Sequence, residues 1–524
     1  MIKRLPLLSL ALILPLLLGF TLLFARQTLA GSPDVCAATC TYSTIQEALN
    51  DDNTVGTTLI LAGETFTENV AITRSITLIG AGPDQTIIDG QLAGTVIHIS
   101  GSPVVSISGL AIQRGDTTSV DGGGLLNEGG TVNLSNVIVE KNQAPNGAGI
   151  TNAGAGVMVL DNVIVRNNVA DEFVTDISVC EDCAGGGIFN LGVLTITNSI
   201  IHGNQAKFGA GIDNAFNSSF FADNIEVYGN TAQNNPGDPD SAGGGIENLG
   251  TMTLANSIVH NNLAPYGAGL ANDGTLTVSG SNIYANIAGL RGGGLHNSFN
   301  LTVQTSNIYD NTAGSGGGGG ISSESGTVLV EQTAVYSNSA SGSGGGIVHN
   351  VVAGTNSFVI TNSTISGNST SGTGGGLRNA GVATTQLNNV TLYNNSAIVS
   401  AGQAVSVFAG SVTAQNSIIS STGTDCSGAL SSSGYNIGSD SSCGLNATAD
   451  LPNTNPMLGP LQNNGGSTLT HALLIGSPAI DSGSGCPAVD QRGVSRSIGA
   501  ACDRGAYEFD ENTVSVYLPF VIRP

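Results

Sequence analysis

A glycine motif that returns ten times constrains this chain more than any other feature. It reads Gly-x-Gly-[Ile/Leu], usually with Asn two residues further on: Gly122-Gly-Gly-Leu-Leu-Asn127, Gly147-Ala-Gly-Ile-Thr-Asn152, Gly185-Gly-Gly-Ile-Phe-Asn190, Gly209-Ala-Gly-Ile-Asp-Asn214, Gly243-Gly-Gly-Ile-Glu-Asn248, Gly267-Ala-Gly-Leu-Ala-Asn272 and Gly292-Gly-Gly-Leu-His-Asn297. Weaker copies start at Gly318, Gly344 and Gly374. Successive starts lie about 25 residues apart, apart from two lengthened units, which is a period typical of stacked-repeat solenoids. Between the glycines run short β-type segments such as Asn136-Val-Ile-Val139, Asn162-Val-Ile-Val165, Asn198-Ser-Ile-Ile201 and Asn256-Ser-Ile-Val259. They show no helical periodicity, so each unit is predicted to hold two or three short strands and no helix.

Stacking such units sets each strand beside its counterpart in the next coil, roughly 4.8 Å away, and builds parallel sheets along one axis. Side-chain alternation turns the Ile or Leu of each motif inward, the next residue outward and the Asn inward again. Asn127, Asn152, Asn190, Asn214, Asn248, Asn272 and Asn297 are therefore expected to form one buried ladder, amide to amide, which satisfies groups that are costly to bury alone. Composition agrees: 75 of 524 residues are Gly, there is no Trp, and only 10% are charged. The length would otherwise imply several domains, but a solenoid grows in one dimension.

Ahead of the repeats, Tyr42-Ser-Thr-Ile-Gln-Glu-Ala-Leu49 reads as a short helix, followed by Thr58-Leu-Ile-Leu61, Ile76-Thr-Leu-Ile-Gly-Ala-Gly82, Thr86-Ile-Ile-Asp-Gly90 and Val96-Ile-His-Ile99. This run resembles the amino-terminal cap and first coils of right-handed parallel β-helix proteins of the pectin-lyase-like class. The Gly-Gly-Gly-Ile repeats resemble those of polymorphic outer-membrane-protein passenger domains. Together the resemblances cover about residues 34–422 and imply an all-β, right-handed parallel β-helix. They imply no single activity, because that fold hosts lyases, hydrolases, adhesins and stalks alike.

Further on, Asn455-Pro-Met-Leu-Gly-Pro-Leu-Gln-Asn-Asn-Gly-Gly, Gly476-Ser-Pro-Ala-Ile-Asp481, Asp490-Gln-Arg-Gly493 and Cys502-Asp-Arg-Gly-Ala-Tyr-Glu-Phe509 resemble the choice-of-anchor Q domain of secreted bacterial β-helix proteins. That likeness implies surface display and a smaller loop-rich module capping the solenoid. Asp490, Arg492, Arg496, Asp503 and Glu508, with His471, are read as groups that hold this module together. The last residues, Val514-Ser-Val-Tyr-Leu-Pro-Phe-Val-Ile-Arg-Pro524, are similar to tails that end exported proteins of some filamentous bacteria, and imply sorting or anchoring. The resulting division is a signal peptide over 1–30, a cap and first coils over 31–115, the glycine-rich helix over 116–422, the module over 423–510, and a linker and tail over 511–524.

The signal reading rests on Lys3 and Arg4, an apolar stretch from Leu5 to Phe24 and the small-residue site Thr28-Leu29-Ala30. It implies a secreted, extracellular or surface-held chain, where cysteines pair: Cys36 with Cys40, Cys180 with Cys183, Cys426 with Cys443, and Cys486 with Cys502. The formal net charge of −23 disfavours nucleic acid and anionic membranes as partners. An extracellular polysaccharide or a cell surface fits better, and a monomer is expected.

Candidate chemistry comes from the outward position of each motif. In coil order it holds Leu126, Thr151, Phe189, Asp213, Glu247, Ala271, His296, Ser322, Val348 and Arg378. Asp213 and Glu247 fall on neighbouring coils, near the roughly 5–5.5 Å carboxylate separation that retaining glycosidases use. Phe189 beside them could stack on a sugar ring, and His296 shares the face. Both lengthened units expand just before their glycines, and Asp171, Glu172, Asp176, Glu181, Asp182, Asp238 and Asp240 in those insertions have the oxygen donors for Ca²⁺. No other cofactor is implied. No basic residue accompanies the acid pair to serve a lyase, and no nucleotide loop, nucleophile elbow or zincin pattern occurs. The sequence therefore points to a non-catalytic scaffold or adhesin that can bind glycans; its alternative is a polysaccharide lyase or glycoside hydrolase working through Asp213 and Glu247.

Overall fold

The computed structural model describes residues 34–118, 120–171, 183–232, 242–351, 356–399, 402–428 and 430–511. It is a parallel β-solenoid. A typical coil runs through Ile212–Asn214, Ser219–Asp223, Glu226–Tyr228 and Thr231–Ala232. Its strands feed a 14-stranded sheet built mostly from the glycine motifs, a 27-stranded sheet to which most coils give two strands, and a 10-stranded sheet of mostly two-residue strands. The strands of successive coils pair in parallel, as in Ile212, Asp213 and Asn214 against Ile246, Glu247 and Asn248, and one register shift falls between Ala264 and Tyr266.

Asparagine and glycine take many of the tight positions of the coil. Asn136, Asn162, Asn198, Asn224 and Asn256 adopt φ values of 48–55° at the bend within each coil's run through the large sheet, a left-handed conformation that Asn tolerates better than other non-glycine residues. The glycine at the third position of each motif allows close stacking: a Cβ on Gly211 would lie 2.4 Å from the carbonyl oxygen of Gly245 in the next coil. Inside, one apolar core of Ile, Leu and Val columns runs the length of the coil stack. A second, narrow core is almost wholly alanine, from Ala144 and Ala148 to Ala264, Ala268 and Ala288.

The expected asparagine ladder is present. Each Nδ2 donates to the next Oδ1 at 2.7–2.9 Å, from Asn127 through Asn152, Asn190, Asn214, Asn248 and Asn272 to Asn297. A second ladder, longer than the first, runs from Asn142 through Asn168, Asn204, Asn230, Asn262, Asn286, Asn311, Asn338 and Asn368 to Asn395 at 2.9–3.0 Å. On the outside of the large sheet, His202, Tyr228, His260, Tyr284, Tyr309 and Tyr336 stack ring on ring at 4.8–5.1 Å.

At the amino end, the helix Ile45–Asn50 turns Ile45, Ala48 and Leu49 into the core. Thr44 caps it by accepting from the Glu47 N–H, and Glu68 accepts from the N–H groups of Ile45 and Gln46. At the other end the large sheet runs on through Leu430–Ser432 and Ile437–Gly438. The chain then turns back. Residues beyond about 453 lie along the flank of five successive coils, held at Asn307, Gln332, Asn362, Asn389 and Asn416. The loop-rich module is thus a lateral strap on the solenoid.

The strap is organised by buried charge. Asp490, fully buried, accepts from the N–H groups of Arg492, Val494 and Glu508 and pairs with the Arg492 guanidinium at 2.8 Å. Arg496 pairs with Glu508 at 3.2 Å and also donates to Asn362 of the coil. His471 bridges the Gly459 carbonyl oxygen and the Ser366 hydroxyl and meets the edge of Tyr393. Each of these residues is engaged by hydrogen bonds or ion pairs within the strap or to the coils, and Asp503 likewise accepts from the Asp481 and Phe509 N–H groups.

Candidate acidic site

The face carrying Asp213 is set by the first glycine of each motif. All ten have positive φ, between 50° and 75°, which L side chains rarely adopt. That turn folds the chain over the residue four positions on. A Cβ on Gly209 would lie 2.7 Å from the Asp213 Cβ, and one on Gly243 would lie 2.6 Å from the Glu247 Cβ. The position that alternation assigns to the outside is therefore roofed by its own preceding turn.

This corrects the orientation expected for the column. Asp213 is 2% exposed, Glu247 5% and His296 9%, and Thr151, Ala271, Ser322 and Val348 are also buried. Phe189 is half-buried and pairs in register with Asp213, which pairs in turn with Glu247. Register thus brings the acids together as expected, but in neither a groove nor an open face. His296 lies two coils beyond Glu247, across Ala271, with the Tyr266 ring 5.5 Å away.

Burial governs the chemistry of these groups. It pushes the Asp213 carboxyl up to about 7. Glu247 is raised well above its ordinary value, first by burial and then by the charges of Asp213 and Asp273. His296 is held down to about 4 by burial, so it is neutral at physiological pH. Asp213 Oδ1, Glu247 Oε2 and His296 Nδ1 are all buried without a hydrogen-bond partner.

Of the insertion acids, Asp171 is half-buried and engaged with a partner. Glu172, Asp176, Glu181, Asp182, Asp238 and Asp240 lie outside the described residues, as do the signal segment and the C-terminal tail. Cys36–Cys40, Cys426–Cys443 and Cys486–Cys502 are bonded as expected. Cys183 is disulfide-bonded, and Cys180 falls outside the described residues. Asp425, Asp440 and Cys443 cluster closely, but Cys443 is already in a disulfide. Asp425 is also occupied, accepting from the Ser439 hydroxyl and the Ser421 and Asp440 N–H groups.

A feature the sequence reading missed lies on the 10-stranded sheet. There a shallow trough of about 630 Å³ is lined by Thr312, Ser339, Ser369 and Ser396 together with Ser371 and Ile398. No charged residue lines it. Its signal was the hydroxyl residue preceding each inward Ala or Thr, as in Thr312-Ala, Ser339-Ala, Ser369-Thr and Ser396-Ala.

No protein-family model matches the chain, and no curated protein matches it. Among solved structures, it is similar to pectate lyase Pel9A, with 15% identity over 73% of this chain and 88% of that one, at a TM-score of 0.39. It is also similar to the A-module of the Azotobacter vinelandii mannuronan C-5 epimerase AlgE6, with 14% identity over 74% of this chain and 94% of that one, at a TM-score of 0.38. Likeness at this level assigns no activity to the chain.

Proposed function

We propose that this chain is a secreted, surface-attached β-solenoid that serves as a display scaffold or adhesin and performs no catalysis. The observation that carries this reading is the roof over the acid pair. A general acid or nucleophile must come within hydrogen-bond reach of its substrate, and Asp213 and Glu247 are covered by the turns at Gly209 and Gly243. The trough on the 10-stranded sheet offers hydroxyl groups at coil spacing without any acid or base. It suits contact with a neutral glycan and supplies no group to cleave one. The disulfides fit an oxidising compartment, and among the described residues no helix is long and apolar enough to cross a membrane.

The test incubates the full chain and an Asp213→Asn/Glu247→Gln variant with plant, algal and bacterial polysaccharides, and follows both pull-down and new chain ends. No new ends are expected from either protein. Cleavage by the native chain that the variant loses would overturn the scaffold reading in favour of a polysaccharide-degrading enzyme.

A further inference from the structure

Two carboxyls on adjacent coils, both sealed from solvent, need something to neutralise them. Asp213 and Glu247 sit side by side in register, at 2% and 5% exposure. Each has one oxygen that is buried and meets no donor. Leaving a charged oxygen in that state costs several kcal/mol, well above the roughly 1–3 kcal/mol of a neutral unsatisfied group. Among the described residues no cationic side chain offsets them: the influences on the pair are burial and, for Glu247, the further acids Asp213 and Asp273, against one N–H from Gly209.

We propose that Asp213 and Glu247 together hold a divalent cation, Ca²⁺ by their donor chemistry, sealed between two coils under the glycine roof. Two carboxylates carry the charge that one divalent ion cancels. Their oxygens are hard donors, and Ca²⁺ accepts irregular oxygen coordination completed by carbonyl groups and water, where Mg²⁺ demands a near-ideal octahedron. The ion would clip neighbouring coils at the point where like charges otherwise push them apart. The role is structural, and it does not depend on the solenoid's activity or ligand.

The experiment strips the full chain with EDTA, titrates it with CaCl₂ by calorimetry, and records Tm with and without Ca²⁺. The native chain is expected to bind Ca²⁺ and gain Tm. Asp213→Asn/Glu247→Gln keeps the shape of both side chains and should fold in EDTA at least as stably as the native chain, yet lose that binding and the Tm gain. A second variant, Asp176→Asn/Asp238→Asn/Asp240→Asn, should keep both. No binding by the native chain, equal binding by the amide variant, or loss of binding in the triple variant alone would each overturn the proposal. The first of those results would leave the pair neutralised by protons.

Discussion

The coils and the strap solve the same problem, burying polar backbone far from water, by opposite means. In the coils the solution is repetition: from Asn142 to Asn395 each amide donates to the next, and every asparagine between the two ends both receives and gives one, without charge. In the strap each polar group has its own partner. Asp490, Arg492, Arg496 and Glu508 form one knot, and Cys486–Cys502 staples the loop beside it. A ladder spreads the cost of one defect over neighbouring rungs, whereas a knot concentrates it. Stability in the coils is accordingly a sum of near-neighbour terms, and in the strap it hangs on a few residues.

The largest effect is therefore expected in the strap. Arg496→Leu leaves Glu508, whose side chain is 1% exposed, without its cation, and breaking a buried pair in this way costs about 3–5 kcal/mol. Amide hydrogen exchange should rise across the strap and stay unchanged in coils before Asn307. Equal loosening of both regions would show that they unfold as one unit and would break the comparison.

A smaller, local effect is expected from Asn230→Ala. It removes the links from Asn204 and to Asn262 and strands buried amide groups, at about 1–3 kcal/mol. Urea unfolding followed by hydrogen exchange should show faster opening around that coil alone.

pH sharpens the comparison, because both regions hold carboxyls that burial has raised: Asp213 and Asp503 to about 7, and Asp425 to about 6. A carboxyl whose folded pKa exceeds its unfolded one favours folding while protonated. In EDTA, that stabilisation is complete below about pH 4 and is lost as pH rises through about 7. Tm measured from pH 4 to 8 should fall across that window. Asp213→Asn/Glu247→Gln should fall less, keeping the share that Asp503 and Asp425 contribute; an unchanged slope would mean that the acid pair does not titrate there.

What the sequence disclosed follows the same division. Period, strand alternation and the first asparagine ladder were legible because each depends only on residues one coil apart. The second ladder was equally periodic, as Asn142-x-Ala, Asn168-x-Ala and Asn204-x-Ala, but it stands outside the glycine motif that drew the reading to the first. The roof was half legible: glycine announced a turn at Gly209, yet alternation says which way Asp213 points and not what then folds over it. The strap's placement was not legible, since Asn307 meets Ser467 across 160 residues and no local pattern encodes such a contact.

The smallest effect belongs to the ring stack, which tests whether outward columns behave like inward ones. Tyr284 lies between His260 at 4.8 Å and Tyr309 at 4.9 Å, and each such aromatic contact is worth about 0.5–1.5 kcal/mol. The site is half-exposed in the folded chain, so less surface is removed from water there than in the core. Tyr284→Ala should cost roughly 1 kcal/mol, and Tyr284→Phe almost nothing, because the stack uses the ring and not the hydroxyl. If Tyr284→Ala destabilised the chain as much as Asn230→Ala, the rings would be holding the coils together as firmly as the buried amides, and repetition would matter more than burial.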